Sequence, residues 1–328
     1  MKAKTILSAA VIVIILTLTT GARAQNRVRI NWTAVTGAQS GMFMAQQEGL
    51  FKKNGLDVEL IHIPSSSRAI QTILAGEIAF SFMDGNNEAQ ANLKGANLAL
   101  IAGATNRMVF SLMAKPEIKK IADLKGKKIG ITRVGSSTHT SALYALGQAG
   151  LKPADYQILP LLEVPNIFTA LVAGQIDAGV VSPPTNSRAR KAGMVELMNI
   201  AKEGPEYVSV AVGTARSYLN ANEDIARRVV RSYAEGVYLF KTNKAAALKM
   251  IQNQLRVKDA DIQEDTYNQF QQYLEYPPYV SRKGIEAVLA DVAETNPAAK
   301  SAKSDDFIDM RFVAELEKEG FFKKFAVK

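Results

Sequence analysis

Few residues in this chain are equipped for chemistry. There are two histidines, His62 and His139, and no cysteine. Thiol nucleophiles are therefore excluded, and a zinc site of the usual His/Cys type lacks ligands. His62 lies inside an alternating strand pattern and reads as structural. His139 follows Ser136 and Ser137 closely enough to suggest an activated hydroxyl, but the Gly-x-Ser-x-Gly turn that exposes such a serine is missing. Gly130 and Gly135 have the glycine spacing of a phosphate-binding loop, yet Ser136 stands where its lysine belongs. No catalytic residue, metal site or cofactor is expected.

Binding chemistry is better supplied. Five stretches rich in Ser, Thr, Gly and Asn, at 36–41, 65–68, 83–87, 133–140 and 182–186, each stand between a strand pattern and a helix pattern. A helix N-terminus offers unpaired N–H groups and the positive end of the helix dipole, so hydroxyl-rich loops there suit an oxyanion or another polar group. The candidate ligand-binding residues are Gln39, Ser40, Gly41, Ser66, Ser67, Asp84, Gly85, Asn86, Arg133, Ser136, Ser137, Thr138, His139 and Pro183. For any single loop the competing reading is a Ser or Thr that caps its own helix. Trp32, the only tryptophan, ends the first strand and is placed either to stack on a ligand or to fill the core. Asp84 either binds an amine or hydroxyl or holds its own turn.

The elements that must position these loops come from an internal repeat. Residues 71–83 match residues 169–181 role for role: a helix end, a turn glycine (Gly76 or Gly174), then a short apolar run suited to a buried strand. Upstream, Gly55-Leu56 and Gly150-Leu151 each close a helix pattern and lead into a strand, at 58–63 and 157–161. Earlier still, 28–33 and 128–132 each read as a strand followed by a polar loop and a helix. Equivalent residues lie about 95 to 100 positions apart. Each copy alternates strand and helix, the order that builds a parallel sheet with helices on both faces. Two copies predict two α/β lobes. Pro116 and the charged stretch 115–120 mark the expected first crossing between lobes, and an isolated strand at 207–214 the return. The expected division is 25–114 plus 212–328 for one lobe and 115–211 for the other. Beyond the return strand the pattern is helical: Asn222 is placed to cap a helix carrying Ile225, Val229, Tyr233 and Val237, and a last helix is expected from about Asp306.

Lys2 and Lys4 precede an apolar run from Ile6 to Leu18, and the small-residue triplet Ala22-Arg23-Ala24 follows. This is the order of a cleavable secretory signal, with cleavage expected after Ala24 and a periplasmic location for the mature chain. The net charge is +9, three of it from Lys2, Lys4 and Arg23. The remaining basic residues are scattered singly and in pairs, which speaks for solubility and against nucleic acid as a partner.

Several segments resemble a known family. The stretch 49–60 (GLFKKNGLDVEL), 74–78 (LAGEI), 122–130 (ADLKGKKIG) with Gly135-Ser136-Ser137, 173–178 (AGQIDA) and 309–321 are similar to the periplasmic substrate-binding components of ABC importers. The likeness is greatest to those for aliphatic sulfonates, nitrate or taurine, and thiamine pyrimidine precursors. The resemblance implies an α/β, two-lobed, hinge-bending fold of the type II periplasmic-binding class. It also implies a monomer that takes a small-molecule ligand, probes polar or anionic cargo with the loops above, and delivers it to an ABC permease in the inner membrane. Asp84-Gly85-Asn86-Asn87 departs from the smaller, uncharged loop common in that family and disfavours a simple dianion. Two other classes share the fold or the mode of binding: pyrimidine synthases, whose cysteine-rich motif this chain cannot contain, and ligand-sensing subunits that dock on a receptor.

Overall fold

The computed structural model describes residues 27–327. The expected signal segment lies outside them. Strands β1 (Arg27–Trp32), β2 (Asp57–His62), β3 (Phe80–Met83), β4 (Leu98–Arg107) and β10 (Glu206–Ala215) form one sheet in the order β2-β1-β3-β10-β4. Strands β5 (Ser111–Ala114), β6 (Lys128–Ile131), β7 (Gln157–Pro160), β8 (Ala178–Val181) and β9 (Val195–Asn199) form the other, in the order β7-β6-β8-β5-β9. In each sheet three strands of one repeat copy run parallel, and the fourth, β10 or β5, is antiparallel. The central strands β3 and β8 are buried along their whole length, which is why both read as unbroken apolar runs.

The first copy carries helices α1 (Ser40–Gln47), α2 (Leu50–Lys53), α3 (Ser66–Leu74) and α4 (Gly85–Asn92), and the second α5 (Ser137–Gln148), α6 (Val164–Val172), α7 (Thr185–Lys191) and α8 (Ile200–Glu203). After β10 the chain is helical: α9 (Arg216–Ala221), α10 (Glu223–Thr242), α11 (Lys244–Gln254), α12 (Ala260–Tyr273), α13 (Arg282–Ala293), α14 (Arg311–Lys318) and α15 (Phe321–Lys324). These back the first sheet. Ile225, Val229, Tyr233 and Val237 of α10 are buried with Met42, Phe43, Phe80 and Phe82 in one core. The helices α1 and α10 cross so closely that a Cβ on Gly236 would stand 2.0 Å from the Gly41 carbonyl oxygen. A second apolar cluster runs from the first sheet and α13 through Met108 and Leu112 to Ile129 and Leu146 of the second lobe, and a third sits beneath α6. Among the described residues no helix is long and apolar enough to cross a membrane.

Three sequence expectations shift. First, β5 is hydrogen-bonded between β8 and β9, and β10 between β3 and β4. The crossings therefore lie at 108–110 and 204–205, ahead of 115–120 and 208–213, and residues 111–114 join the second lobe while 206–211 join the first. The physical reason is that each sheet is completed by the strand laid down directly after a crossing, so the apolar run begins at the crossing and Pro116 marks its end. Second, Asn222 occupies the N-cap position of α10 without an accepting side chain. Its Nδ2 donates to the Tyr218 carbonyl at 3.0 Å, and Glu223 and Asp224 supply the negative charge that suits the helix start. Third, the last long helix starts at Arg311: Leu100 N donates to the Phe307 carbonyl and Asp309 N to the Leu100 carbonyl, a short bridge that holds 307–309 extended against β4.

Candidate ligand cleft

Between the sheets lies a cleft of about 100 Å³ lined by residues of both lobes. Its walls come from the carboxyl ends of the parallel strands in both lobes, where ligands of open α/β sheets sit. The first lobe contributes 33–36 with Ala38 and Gln39, Ser65 and Ser66, and Met83 and Asp84. The second contributes Thr132, 136–138, 162–165 and Ser182. The floor is made by Thr105 on β4, by Val109 and Phe110 at the first crossing, and by Ser209 and Val210 on β10.

Of the sequence candidates, Gln39, Ser66, Asp84, Ser136, Ser137 and Thr138 line this space. Gln39 is locked to its own loop: Thr33 N donates to its Oε1 at 3.2 Å and its Nε2 donates to Thr33 Oγ1 at 3.0 Å. Ser136 caps α5, accepting from His139 N and donating to the Arg133 carbonyl, and the hydroxyls of Thr132, Ser136 and Thr138 lie 2.8–2.9 Å from one another. Asp84 caps α4. Its carboxylate accepts from Asn87 N at 2.7 Å and from Asn87 Nδ2, and its own N–H donates to Ser66 Oγ. Burial pushes the Asp84 carboxyl above its ordinary range, against the pull of those hydrogen bonds.

The other candidates fall outside the lining, for identifiable reasons. Trp32 stacks on His62 with ring centroids 3.9 Å apart and meets Phe43 edge-on, so it fills the lobe. Gly41 is spent on the α1–α10 crossing, where a Cβ would meet Val237 and Tyr233. Ser40 is buried behind the loop with no partner for its hydroxyl. Ser67 is exposed and shares a hydrogen bond with Ser65. Gly85 packs on Val208, and Asn86 accepts from Gln90 and approaches Tyr207 behind the wall. The Nδ1 of His139 accepts from Gly135 N, and burial lowers its basicity. Arg133 contributes its carbonyl to the Ser136 cap, and Pro183 is buried behind Ser182.

Two groups of lining residues carry no mark in a loop-by-loop reading. Residues 162–165 follow β7 just as 65–68 follow β2, so the repeat itself is the signal that finds them. Both loops contain a non-glycine residue in the left-handed region, Ser65 at φ 84° and Leu162 at φ 70°, a cost of the kind tolerated where a site needs a particular loop path. Thr105 and Ser209 lie inside buried strands and have no local signal. The register between β4 and β10 shifts on both sides of Val210, and this irregularity lets consecutive residues Ser209 and Val210 both face the cleft.

The lobes also touch each other directly. Asn87 Nδ2 donates to the Gly135 carbonyl at 2.9 Å, and α7 docks on α12 through Arg190 with Asp265 and Lys191 with Asp259 and Asp261.

A family model described as NMT1/THI5 like matches residues 38–247. A binding protein of Brucella abortus (strain 2308) is 27% identical over 246 residues, covering 74% of this chain and 75% of that protein. A protein of Escherichia coli (strain K12) named for binding aliphatic sulfonates is 24% identical, covering 83% and 82%. The solved alkanesulfonate-binding protein of Xanthomonas axonopodis pv. citri, bound to MOPS, shares the fold with a TM-score of 0.71 at 21% identity, covering 84% of this chain and 93% of that one. The two-sheet α/β architecture is thus that of periplasmic binding proteins, and the chain belongs to the NMT1/THI5-like family.

Proposed function

We propose that this protein is the extracytoplasmic solute-binding component of an ABC importer, which closes its two lobes over a small polar organic molecule and presents it to an inner-membrane permease. The observation that carries this reading is a single cleft walled by both lobes and floored by the first crossing and the returning strand β10. A solute seated there touches both lobes only when they are together, so its binding free energy goes into the closed form and shifts the population toward it. The cleft walls hold hydroxyls already tied into caps and turns, which keeps them in place before a solute arrives and lowers the ordering cost of binding. Binding without turnover suits a site whose hydroxyls at Thr132, Ser136 and Thr138 are tied to one another and to the start of α5.

The test is solution scattering together with thermal unfolding of the mature chain, first stripped of bound molecules by unfolding and refolding and then mixed with an extract of small metabolites. One saturable binder that reduces the radius of gyration and raises the melting temperature is expected, because a ligand of the native state stabilises it by mass action. A protein that binds nothing in such an extract, or binds without compaction, would sink the proposal.

A further inference from the structure

Glu163 stands at the N-cap of α6, lines the cleft, and uses its main chain for the helix start: its carbonyl accepts from Asn166 N and Ile167 N. Its side chain makes no cap hydrogen bond, and among the described residues it has neither a hydrogen-bond nor an ion-pair partner. The other carboxylate of the cleft, Asp84, is consumed by Asn87. Among the described residues that line the cleft, none is Lys, Arg or His. Each lobe therefore sets one carboxylate on a helix N-terminus, where it offsets the positive end of the dipole that an anion would otherwise use. Beside Glu163 the wall is apolar, with Leu162, Val164, Pro165 and Phe110. At the floor, Thr105 is buried and its Oγ1 has no partner.

We propose that Glu163 is the specificity-determining acceptor of the cleft and that the solute carries an N–H donor group, a protonated amine, an amidine or an amino-substituted ring, with no net negative charge. This rests on the solute-binding reading above. The one basic group in electrostatic reach of Glu163 among the described residues is His62, which stacks on Trp32 outside the lining and whose basicity burial lowers. A carboxylate in a partly closed cleft with no lining cation attracts donors and repels ionised sulfonates, phosphates and carboxylates, and hydrogen bonds to a charged acceptor are among the strong ones. The apolar wall then takes the body of the solute, and the carboxylate fixes its donor end.

The experiment uses the stripped mature chain, equilibrated with a dialysable extract of bacterial metabolites, the captured compounds being identified and counted by mass spectrometry. Parent protein and Glu163→Gln are compared, and their ligand-free melting temperatures are measured alongside. The parent is expected to capture a compound with an N–H donor and no net negative charge. Glu163→Gln is expected to capture about tenfold less or lower still, the loss for one charge-assisted hydrogen bond, with an unchanged melting temperature. A captured compound that is an oxyanion without a donor, or equal capture by the two proteins, overturns the assignment. So does a melting temperature that falls with capture, since Glu163 would then be holding the fold. If the parent captures nothing, the solute-binding reading itself fails, and that outcome is distinct from the others.

Discussion

The two lobes are built from one pattern and filled with different chemistry. In the first sheet, Asn31 and Ser81 are paired on β1 and β3; in the second, the equivalent pair on β6 and β8 is Gly130 and Gly179. The asparagine donates to Ser81 Oγ at 2.8 Å and accepts from Ile63 N at 2.8 Å, so a buried polar pair ties the strand to the loop that enters the cleft. The glycines instead leave room for α6 and the turn after it to lie on the sheet: a Cβ on Gly179 would stand 2.3 Å from Ile167 Cγ2 of α6, and one on Gly130 would stand 2.6 Å from Ile176 Cδ1 beyond the helix and 3.1 Å from Ile167 Cγ2. The loops that follow differ accordingly, hydroxyls at Ser65 and Ser66 against an apolar wall with one free carboxylate at 162–165. Repetition of the backbone sets where a loop goes. The side chains at equivalent positions decide whether it is held by hydrogen bonds or by close packing.

The sharpest way to break this comparison is Gly179→Ala. The new methyl meets a β-branched side chain on the buried face of α6, and overpacking of this kind costs about 2 kcal/mol. Chemical denaturation should show that loss, and Ile167→Ala in the same chain should recover part of it; additive losses would mean that α6 does not rest on this glycine pair. Asn31→Ala is the counterpart in the first lobe. It deletes two hydrogen bonds of a buried network and is expected to cost about 1.5 kcal/mol, less than a fully orphaned group because Ile63 N also reaches the Trp32 carbonyl at 3.2 Å. The change should also loosen hydrogen-exchange protection at Ile63 while leaving the second sheet untouched. Protection lost equally in both lobes would deny the separate roles given to the two pairs.

The smallest effect concerns the helices that follow β3 and β8. At equivalent positions α4 buries Glu88 and α7 buries the uncharged Asn186. Burial pushes the Glu88 carboxyl well above its ordinary value of 4.5, helped by the charge of Asp84 and opposed by Arg216 and Asn92. A carboxyl raised in the folded state adds stability that is complete below the unfolded value and is lost as pH rises toward the folded one, because only the unfolded chain releases the proton in that interval. The unfolding free energy of the parent should therefore fall as pH climbs from 4.5. Glu88→Gln should flatten that slope and gain on the order of 1 kcal/mol at the alkaline end. Parallel pH profiles for the two proteins would show that Glu88 is not the titrating group.

Much of the architecture was legible because it repeats. The alternation of apolar runs with turn glycines marked both sheets, the central strands and the loops at their carboxyl ends, since period and turn chemistry are local properties. For the same reason a turn-holding role for Asp84 and a capping role for a serine or threonine of each loop stood among the readings the sequence offered, and Asp84 and Ser136 do cap α4 and α5. Which loop residues face the cleft was not legible: Gln39 and Thr138 line it while Gly41 and His139 do not, and that depends on how α1 crosses α10 and how α5 sits on its sheet.

The sequence by itself determined the fold class, the duplicated strand–loop–helix unit and the absence of any thiol chemistry, because composition and periodicity are present in every short window of the chain. Only the tertiary structure decided the crossings at 108–110 and 204–205, the floor made by Thr105 and Ser209, and the unpaired state of Glu163. Each of these depends on strands distant in sequence meeting side by side, and on what a side chain finds when they do. An anion-binding loop read from hydroxyls alone becomes, once the lobes are set together, a cleft with two carboxylates and no lining cation among the described residues.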